Sequence, residues 1–113
     1  MKIALDYDQT FSLDPWFWNQ FIFMCECSGH DVRIVTIRDP KLDRIDKLQE
    51  LENKVQVIYT NGVAKKWFLS HFGEGFTPDI WIDDKPESIL NNSTATPEWL
   101  VEWRKDHVGV VAK

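Results

Sequence analysis

Four short apolar runs, each followed by a longer mixed segment, set the pattern of this chain. They cover residues 2–5, 32–36, 55–59 and 80–82, and the second and third are rich in β-branched residues. Runs of this length, bounded by polar or turn-forming residues, are typical of buried strands. We therefore predict four strands, each of which runs into polar residues at its carboxyl end.

The segment after the first run predicts a long helix. Asp14 followed by Pro15 is a good helix start, because aspartate caps the first turn and proline fits the first helical position. Gly29 can end the helix. Trp16 and Trp18 lie near the start of this helix. Their rings could either pack in the core or stack on a base or sugar. Spacings of four, three and four predict one buried face: Phe17, Phe21, Met24 and Ser28.

Further helices are predicted between the remaining runs. An amphipathic pattern with apolar positions three apart covers residues 42–51. Another helix is expected over residues 64–72, with these side chains facing inward: Trp67 and either Leu69 or His71. A short helix follows at residues 87–90. Beyond it, residues 96–98 open a last helix that carries Trp99, Leu100 and Trp103, and residues 108–111 form a strand or only pack.

Strands that alternate with helices over short links favour an α/β fold. Consecutive strands are then parallel and joined by right-handed crossovers. All four strands end at one edge of such a sheet, where open α/β sheets bind their ligands. With 113 residues the chain is expected to form a single domain, residues 1–113.

Composition and charge narrow the function classes. The formal net charge is −5, which argues against general nucleic-acid binding, because such binding depends on clustered Lys and Arg. It still allows a phosphorylated substrate beside a metal ion.

No signal peptide, no apolar run of about 18 residues and no lipidation motif is found, which predicts a cytoplasmic protein that does not bind membranes. Cys25 and Cys27 are two apart in a predicted helix, so we expect neither a mutual disulfide nor a zinc site.

Two aspartates follow the first strand, in the stretch Asp6-Tyr7-Asp8-Gln9-Thr10. Alternation along an extended chain sends Asp6 and Asp8 to the same side. Close carboxylates repel, so both stay ionised only around a cation or when one of them is protonated. Mg²⁺ prefers such oxygen ligands and in turn suits phosphate. One aspartate could then attack phosphorus while the other moves the proton. A strand end with a turn is the simpler alternative.

The second strand also ends in groups that suit a phosphate. The hydroxyl of Thr36 could donate a hydrogen bond to a phosphate oxygen, and Arg38 could add a charge-assisted contact. Threonine is also a common strand residue, so a structural role for Thr36 stays open.

Two later segments add charges at the same edge. Lys65 and Lys66 stand in the first turn of a predicted helix, where cations oppose the helix dipole. A locally unfavourable choice is a hint of function, and either lysine could neutralise the charge of a phosphate and of the aspartates. An ordinary surface lysine is the alternative. The fourth strand then runs directly into two adjacent acids, Asp83 and Asp84.

Taken in order, these segments resemble the four motifs of the haloacid dehalogenase-like superfamily of phosphohydrolases, over residues 3–87. The resemblance implies a three-layer Rossmann-like domain with a central parallel sheet. It implies that Asp6 is the nucleophile and Asp8 the general acid and base. It also implies that Thr36 binds the phosphate and that Lys65, which fits the family better than its neighbour, stabilises it.

The resemblance also implies a Mg²⁺ cofactor. Its ligands would be the Asp6 carboxylate, the main-chain carbonyl of Asp8 and an acid of the pair Asp83 and Asp84, with no choice made between the two. Gln9 stands where the superfamily commonly has glycine, at a position that varies.

The intervals between the motifs are too short for a cap domain. Capless members of the superfamily act on exposed phosphoryl groups, such as protein, nucleic-acid ends or nucleotides, or close their site by oligomerisation. The Asp-Asp form of the last motif, with Pro86 behind it, is similar to that of nucleotidases and polynucleotide phosphatases. The expected function is a Mg²⁺-dependent phosphatase acting through an aspartyl-phosphate. The alternatives are a non-catalytic phospho-ligand or nucleotide-binding module, and a phosphotransferase.

Overall fold

The computed structural model describes residues 1–92, which form a four-stranded parallel sheet flanked by helices. The spatial order of the strands is β3-β2-β1-β4, and every pairing between neighbours is parallel. The predicted α/β fold with a parallel sheet is therefore confirmed, and it is compatible with a Rossmann-like arrangement. The strands are β1 (Lys2–Leu5), β2 (Asp31–Thr36), β3 (Val57–Tyr59) and β4 (Ile80–Ile82).

The helices connect the strands, and no cap domain occurs within residues 1–92. A short 3-10 helix, Phe11–Leu13, precedes the first α-helix. No helix in this part of the chain has both the length and the apolar character needed to cross a membrane. The helix predicted after residue 96 and the strand predicted at residues 108–111 lie outside the described residues. The α-helices are α1 (Pro15–Cys27), α2 (Asp46–Glu52), α3 (Lys65–Phe72) and α4 (Glu87–Leu90).

The two faces of the sheet pack against different helices. Ile3 and Ile34 point to one face, where they join a core with side chains of α1 and α2. Ala4 and Val35, their sequence neighbours, point to the other face and pack with Leu69 of α3. This alternation is the period of two expected for strands covered on both sides. Helices therefore cover the sheet on both faces.

The start of α1 agrees with the sequence, but of the predicted buried face only Phe21 packs inward, and Phe17, Met24 and Ser28 are exposed. The side chain of Asp14 accepts a hydrogen bond from the main-chain N–H of Phe17 at 3.2 Å, as an N-cap does. Phe17 and Met24, predicted to be buried, are 51% and 66% exposed. Apolar side chains occur on both the inner and the outer side of the helix, so spacing alone could not show which face meets the sheet. The side chains that pack inward are Trp18, Phe21, Ile22 and Cys25.

The second helix begins four residues later than predicted, at Asp46. Oδ1 of Asp39 accepts hydrogen bonds from the main-chain N–H groups of Lys41 and Leu42, at 2.7 and 2.8 Å. These bonds hold the start of the predicted helix in a turn, because aspartate side chains compete for backbone donors. The strand that follows is also shorter than predicted and begins at Val57.

The third helix keeps one of its predicted inward residues. Leu69 is buried, as expected, whereas Trp67 is half exposed and His71 is exposed. The rings of Trp67 and His71 stack on each other with centroids 3.9 Å apart. The prediction that Trp67 faces inward is therefore wrong, because the smaller aliphatic side chain fits against the sheet and the aromatic pair covers the outer surface of the helix.

Candidate active site

A cavity lies at the carboxyl edge of the sheet, where β1 and β4 end side by side. The main-chain N–H of Asp6 donates to the carbonyl of Ile82 at 2.9 Å, so the two chains stay paired one step beyond the strands. This pairing puts the residues after each strand next to each other. Five of the six predicted site residues line the cavity: Asp6, Asp8, Lys65, Asp83 and Asp84.

Asp6 directly follows β1 and is buried, with 7% of its surface exposed. Its Oδ1 accepts a hydrogen bond from Nζ of Lys65 at 2.9 Å. Its Oδ2 lies 3.4 Å from the hydroxyl of Thr10, a residue that the sequence placed in the motif without giving it a partner. The carboxylate is thus fixed at both oxygens.

Lys65 joins Asp6 to the acid pair on β4. It is the first residue of α3 and is 2% exposed, and its Nζ donates to Oδ1 of Asp6 and, at 2.5 Å, to Oδ2 of Asp83. Lys66 is exposed. Between the two lysines that the sequence offered, the geometry therefore selects Lys65. The two carboxylates offset the cost of a cation at a helix N-terminus.

The turn before α3 explains how Lys65 reaches the site. The N–H of Thr60 donates to the carbonyl of Thr36 at 2.7 Å, and the N–H of Gly62 donates to the carbonyl of Ile37 at 2.9 Å. Gly62 has φ of 79°, a left-handed conformation that glycine adopts without strain. These bonds tie the start of α3 to the end of β2, beside β1.

The acid pair after β4 has two different environments. The side chain of Asp83 is 3% exposed, and its Oδ1 accepts from the main-chain N–H of Lys85 at 2.9 Å. Asp84 is exposed at the cavity mouth, with Oδ1 3.4 Å from the hydroxyl of Thr10. One carboxylate oxygen from each of Asp6, Asp83 and Asp84 lies within 4.8 Å of the others.

The acid cluster changes the protonation of Asp6. The pKa of Asp6 is raised from 3.8 to about 8, mainly by burial; the ammonium of Lys65 works in the opposite direction, and the neighbouring Asp84 and Asp83 contribute to the rise. One lysine therefore does not balance three neighbouring carboxylates, and Asp6 holds a proton near neutral pH unless another cation is bound. Three oxygen donors around an excess of negative charge fit a hard divalent cation such as Mg²⁺.

Asp8 lines the same cavity but is held by an arginine. Nε and Nη2 of Arg38 donate to the two carboxylate oxygens of Asp8 at 2.9 and 2.8 Å. Arg38 is 4% exposed, and its Nη1 donates to the carbonyl of Asp43 at 2.8 Å. The sequence marked Arg38 only as a phosphate contact, and nothing in the motif spacing pointed to this ion pair.

Thr36 is the sixth predicted site residue, and its side chain does not line the cavity. It is fully buried, and its hydroxyl accepts a hydrogen bond from the main-chain N–H of Arg38 at 3.3 Å. Ile37, the next residue, lines the cavity instead. The hydroxyl thus shapes the turn after β2, while its predicted contact with a phosphate stays a prediction.

Two further residues line the cavity that the sequence did not predict as site residues, Lys85 and Gln9. Lys85 also lines the cavity and adds a cation beside the acid pair. Gln9 has φ of 61°, a left-handed conformation, which explains why a glycine would suit this position. Neither of the two tryptophans near the start of α1 is among the residues that line the cavity; Trp16 is 74% exposed, and Trp18 packs in the core.

Comparison of the chain with protein-family models, with curated proteins and with solved structures gives no match.

Proposed function

We propose that this protein is a phosphomonoester hydrolase of the haloacid dehalogenase-like type, with Asp6 as the nucleophile. The observation that carries the proposal is the triad of Lys65 between the buried carboxylates of Asp6 and Asp83, at the edge where parallel sheets bind ligands. A carboxylate held by an ammonium in a cavity is the arrangement that attack on a phosphoryl group needs, because the cation offsets charge on the phosphoryl oxygens.

The oxygen donors of Asp6, Asp83 and Asp84 fit a Mg²⁺ cofactor. In the resemblance, the main-chain carbonyl of Asp8 completes this set. A bound Mg²⁺ would supply positive charge for the phosphoryl oxygens and keep Asp6 ionised. The proposal therefore predicts that activity depends on the metal.

The residues of the chain would carry out two displacements. In the first, Asp6 attacks phosphorus, the bond between phosphorus and the leaving oxygen breaks, and Asp8 gives its proton to that oxygen. In the second, Asp8 takes a proton from a water molecule whose oxygen attacks the aspartyl-phosphate, which releases phosphate and restores Asp6. Lys65 stays close to the phosphoryl oxygens in both steps. The substrate would be an exposed phosphomonoester, such as a nucleotide or a nucleic-acid end.

The experiment is release of phosphate with and without Mg²⁺, from nucleotides, phosphorylated oligonucleotides, phosphopeptides and an aryl phosphate. Asp6→Asn removes the nucleophile and keeps the shape, so it should abolish release. Asp46→Asn, an exposed aspartate of α2 outside the cavity, is the matched control and should keep full activity. Near-native turnover in Asp6→Asn would contradict the covalent route.

A second candidate, a module that binds a phosphorylated ligand without turning it over, is favoured by one observation. Both oxygens of Asp8 accept from Arg38, so the residue that would move protons is already engaged. Such a module would keep its ligand affinity in Asp6→Asn and release no phosphate with Mg²⁺. Transfer of labelled phosphate to an acceptor, without an equal amount of free phosphate, would instead indicate a phosphotransferase.

A further inference from the structure

The surface of α1 that points away from the sheet carries a continuous row of exposed side chains. We define the outer face of α1 by the residues at spacings of one and three along it: Trp16, Phe17, Gln20, Phe23, Met24 and Cys27. Among its large apolar side chains, Trp16 is 74% exposed and Met24 is 66% exposed. None of its members is charged.

The size of this face suits a protein contact. Large apolar side chains have about 200 Å² of surface each, so the four exposed apolar ones present roughly 600 Å². That value is at the upper end of the largest apolar patch found on monomeric proteins. Two such faces together would bury about 1,200 Å², which reaches the lower bound of specific interfaces.

The arrangement of the face is self-complementary. Gln20 lies at its centre, both along the helix and across the row, with Trp16 and Met24 each four residues away. If two copies meet antiparallel with a two-fold axis at Gln20, Trp16 of each copy lies opposite Phe23 of the other, because both residues are on the same side of Gln20. Phe17 and Met24, on the other side, pair in the same way. An isologous contact of this kind places no charge against an apolar surface.

Other occupants are less well supported. The described part of the chain ends beside α3, where the side chain of Asn92 accepts from the N–H of Ala64 at 2.9 Å. That helix covers the opposite face of the sheet from α1, so the described part of the chain ends on the other side of the sheet from the outer face. A membrane surface is disfavoured because α1 contains no Lys or Arg, whereas interfacial helices carry basic residues that bind anionic lipids.

We infer that the outer face of α1 is the contact between two copies of this chain, paired antiparallel about Gln20. The contact uses a surface that plays no part in the cavity chemistry, so it stands or falls independently of the proposed function. In this dimer the two Cys27 residues lie at opposite ends of the helix pair, about 20 Å apart along its axis. The two Gln20 residues lie next to each other.

The first measurement is the mass of the full chain by sedimentation equilibrium, which should be twice 13.3 kDa at micromolar concentration. Phe23→Lys should raise the dissociation constant of the dimer about 100-fold, since the change is repeated in both copies and desolvates two charges. Glu26→Lys introduces the same charge at an exposed position of α1 outside the outer face and should leave the mass unchanged. Far-UV circular dichroism checks that each variant is folded.

The second measurement fixes the orientation. Gln20→Cys in a Cys27→Ser background should form a disulfide-linked dimer with copper phenanthroline as oxidant, because only residues near the axis come within disulfide distance. The native Cys27 should not cross-link, and Ser70→Cys on the exposed side of α3 should not do so either. Cross-linking through Cys27 would overturn the antiparallel pairing.

Three further outcomes would overturn the proposal. If the wild-type chain is monomeric even at 100 times the concentration used for sedimentation equilibrium, the contact does not exist. A monomer whose free energy of unfolding falls in Phe23→Lys, but not in Glu26→Lys, would place residues 93–113 over the face instead. A dimer that persists in Phe23→Lys uses a different surface.

Discussion

Arg38 holds Asp8 by two hydrogen bonds, at 2.9 and 2.8 Å, with the arginine 4% exposed and the Asp8 side chain 16% exposed. Both charges are therefore largely removed from water and depend on each other. While both partners are present, such a shielded bidentate pair has little net effect on the free energy of unfolding. Removal of one partner lowers that free energy strongly, because the other charge stays buried alone. The pair also connects the loop after β2 to the loop after β1, so it aligns two walls of the cavity.

Arg38→Gln should lower the free energy of unfolding by about 2–4 kcal/mol, because it leaves the carboxylate of Asp8 without its partner. Arg38→Lys should cost less than this but lose the two-point contact. Urea denaturation at neutral pH measures both. The control is Arg44→Gln: Arg44 also makes two hydrogen bonds to one carboxylate, Glu52, but is 41% exposed. It should cost at most about 1 kcal/mol. Equal losses in the two glutamine variants would contradict the role assigned to burial.

Lys65→Met should destabilise the protein by about 3 kcal/mol in the absence of metal, because it leaves the buried side chains of Asp6 and Asp83 without the ammonium that both contact. Lys66→Met, the same change one residue later on an exposed side chain, should alter stability by no more than about 0.5 kcal/mol. Thermal unfolding of both variants gives the comparison. If the protein is a phosphatase, Lys65→Met should also lose at least about 100-fold in turnover while Lys66→Met keeps it. A larger effect from Lys66 in either measurement would be inconsistent with the site described here.

The raised pKa of Asp6, about 8 against 3.8 when unperturbed, predicts how stability depends on pH without metal. Between these two values the folded protein keeps a proton on Asp6 that the unfolded chain releases. The unfolded state then binds fewer protons, so the free energy of unfolding falls as the pH rises from about 5 to 8.

Urea denaturation at several pH values in EDTA, run on wild type and on Asp6→Asn, tests this dependence. The asparagine does not titrate, so its curve should decline less with pH than the wild-type curve. Two parallel curves would show that Asp6 does not carry the shift.

Mg²⁺ should raise the melting temperature of the wild-type protein if Asp6, Asp83 and Asp84 hold it. At about 100 times its dissociation constant, the ion would add about 2.7 kcal/mol to the free energy of unfolding, or roughly 10 °C in a domain of this size. Asp84→Asn should remove this shift with little change in metal-free stability, because Asp84 is exposed. Asp83→Asn should lose the Mg²⁺ shift and also lower the metal-free stability, since it breaks the pair with Lys65.

Glu87→Gln, an exposed acid at the start of α4, is the control for this measurement. It should keep the full Mg²⁺ shift. A shift that survives in both Asp84→Asn and Asp83→Asn would place the ion elsewhere.

The sequence by itself determined the elements and their order. Apolar runs that alternate with helical segments predicted a parallel sheet, and the chain places Asp6, Asp83 and the start of α3 at its carboxyl edge. This worked because strand alternation and helix capping are local properties, set by a few neighbouring residues. The N-cap at Asp14 follows from the same local chemistry.

Only the tertiary structure decided which faces and partners those elements use. A helix with apolar side chains on both its inner and its outer side gives no clear local signal for its buried side, so Phe17 and Met24 were placed on the wrong face. The same holds for the choice of Lys65 over Lys66 and for the pair of Arg38 with Asp8, which join residues 30 or more positions apart. Contacts at that separation depend on how the sheet and loops pack, and no spacing along the chain encodes them.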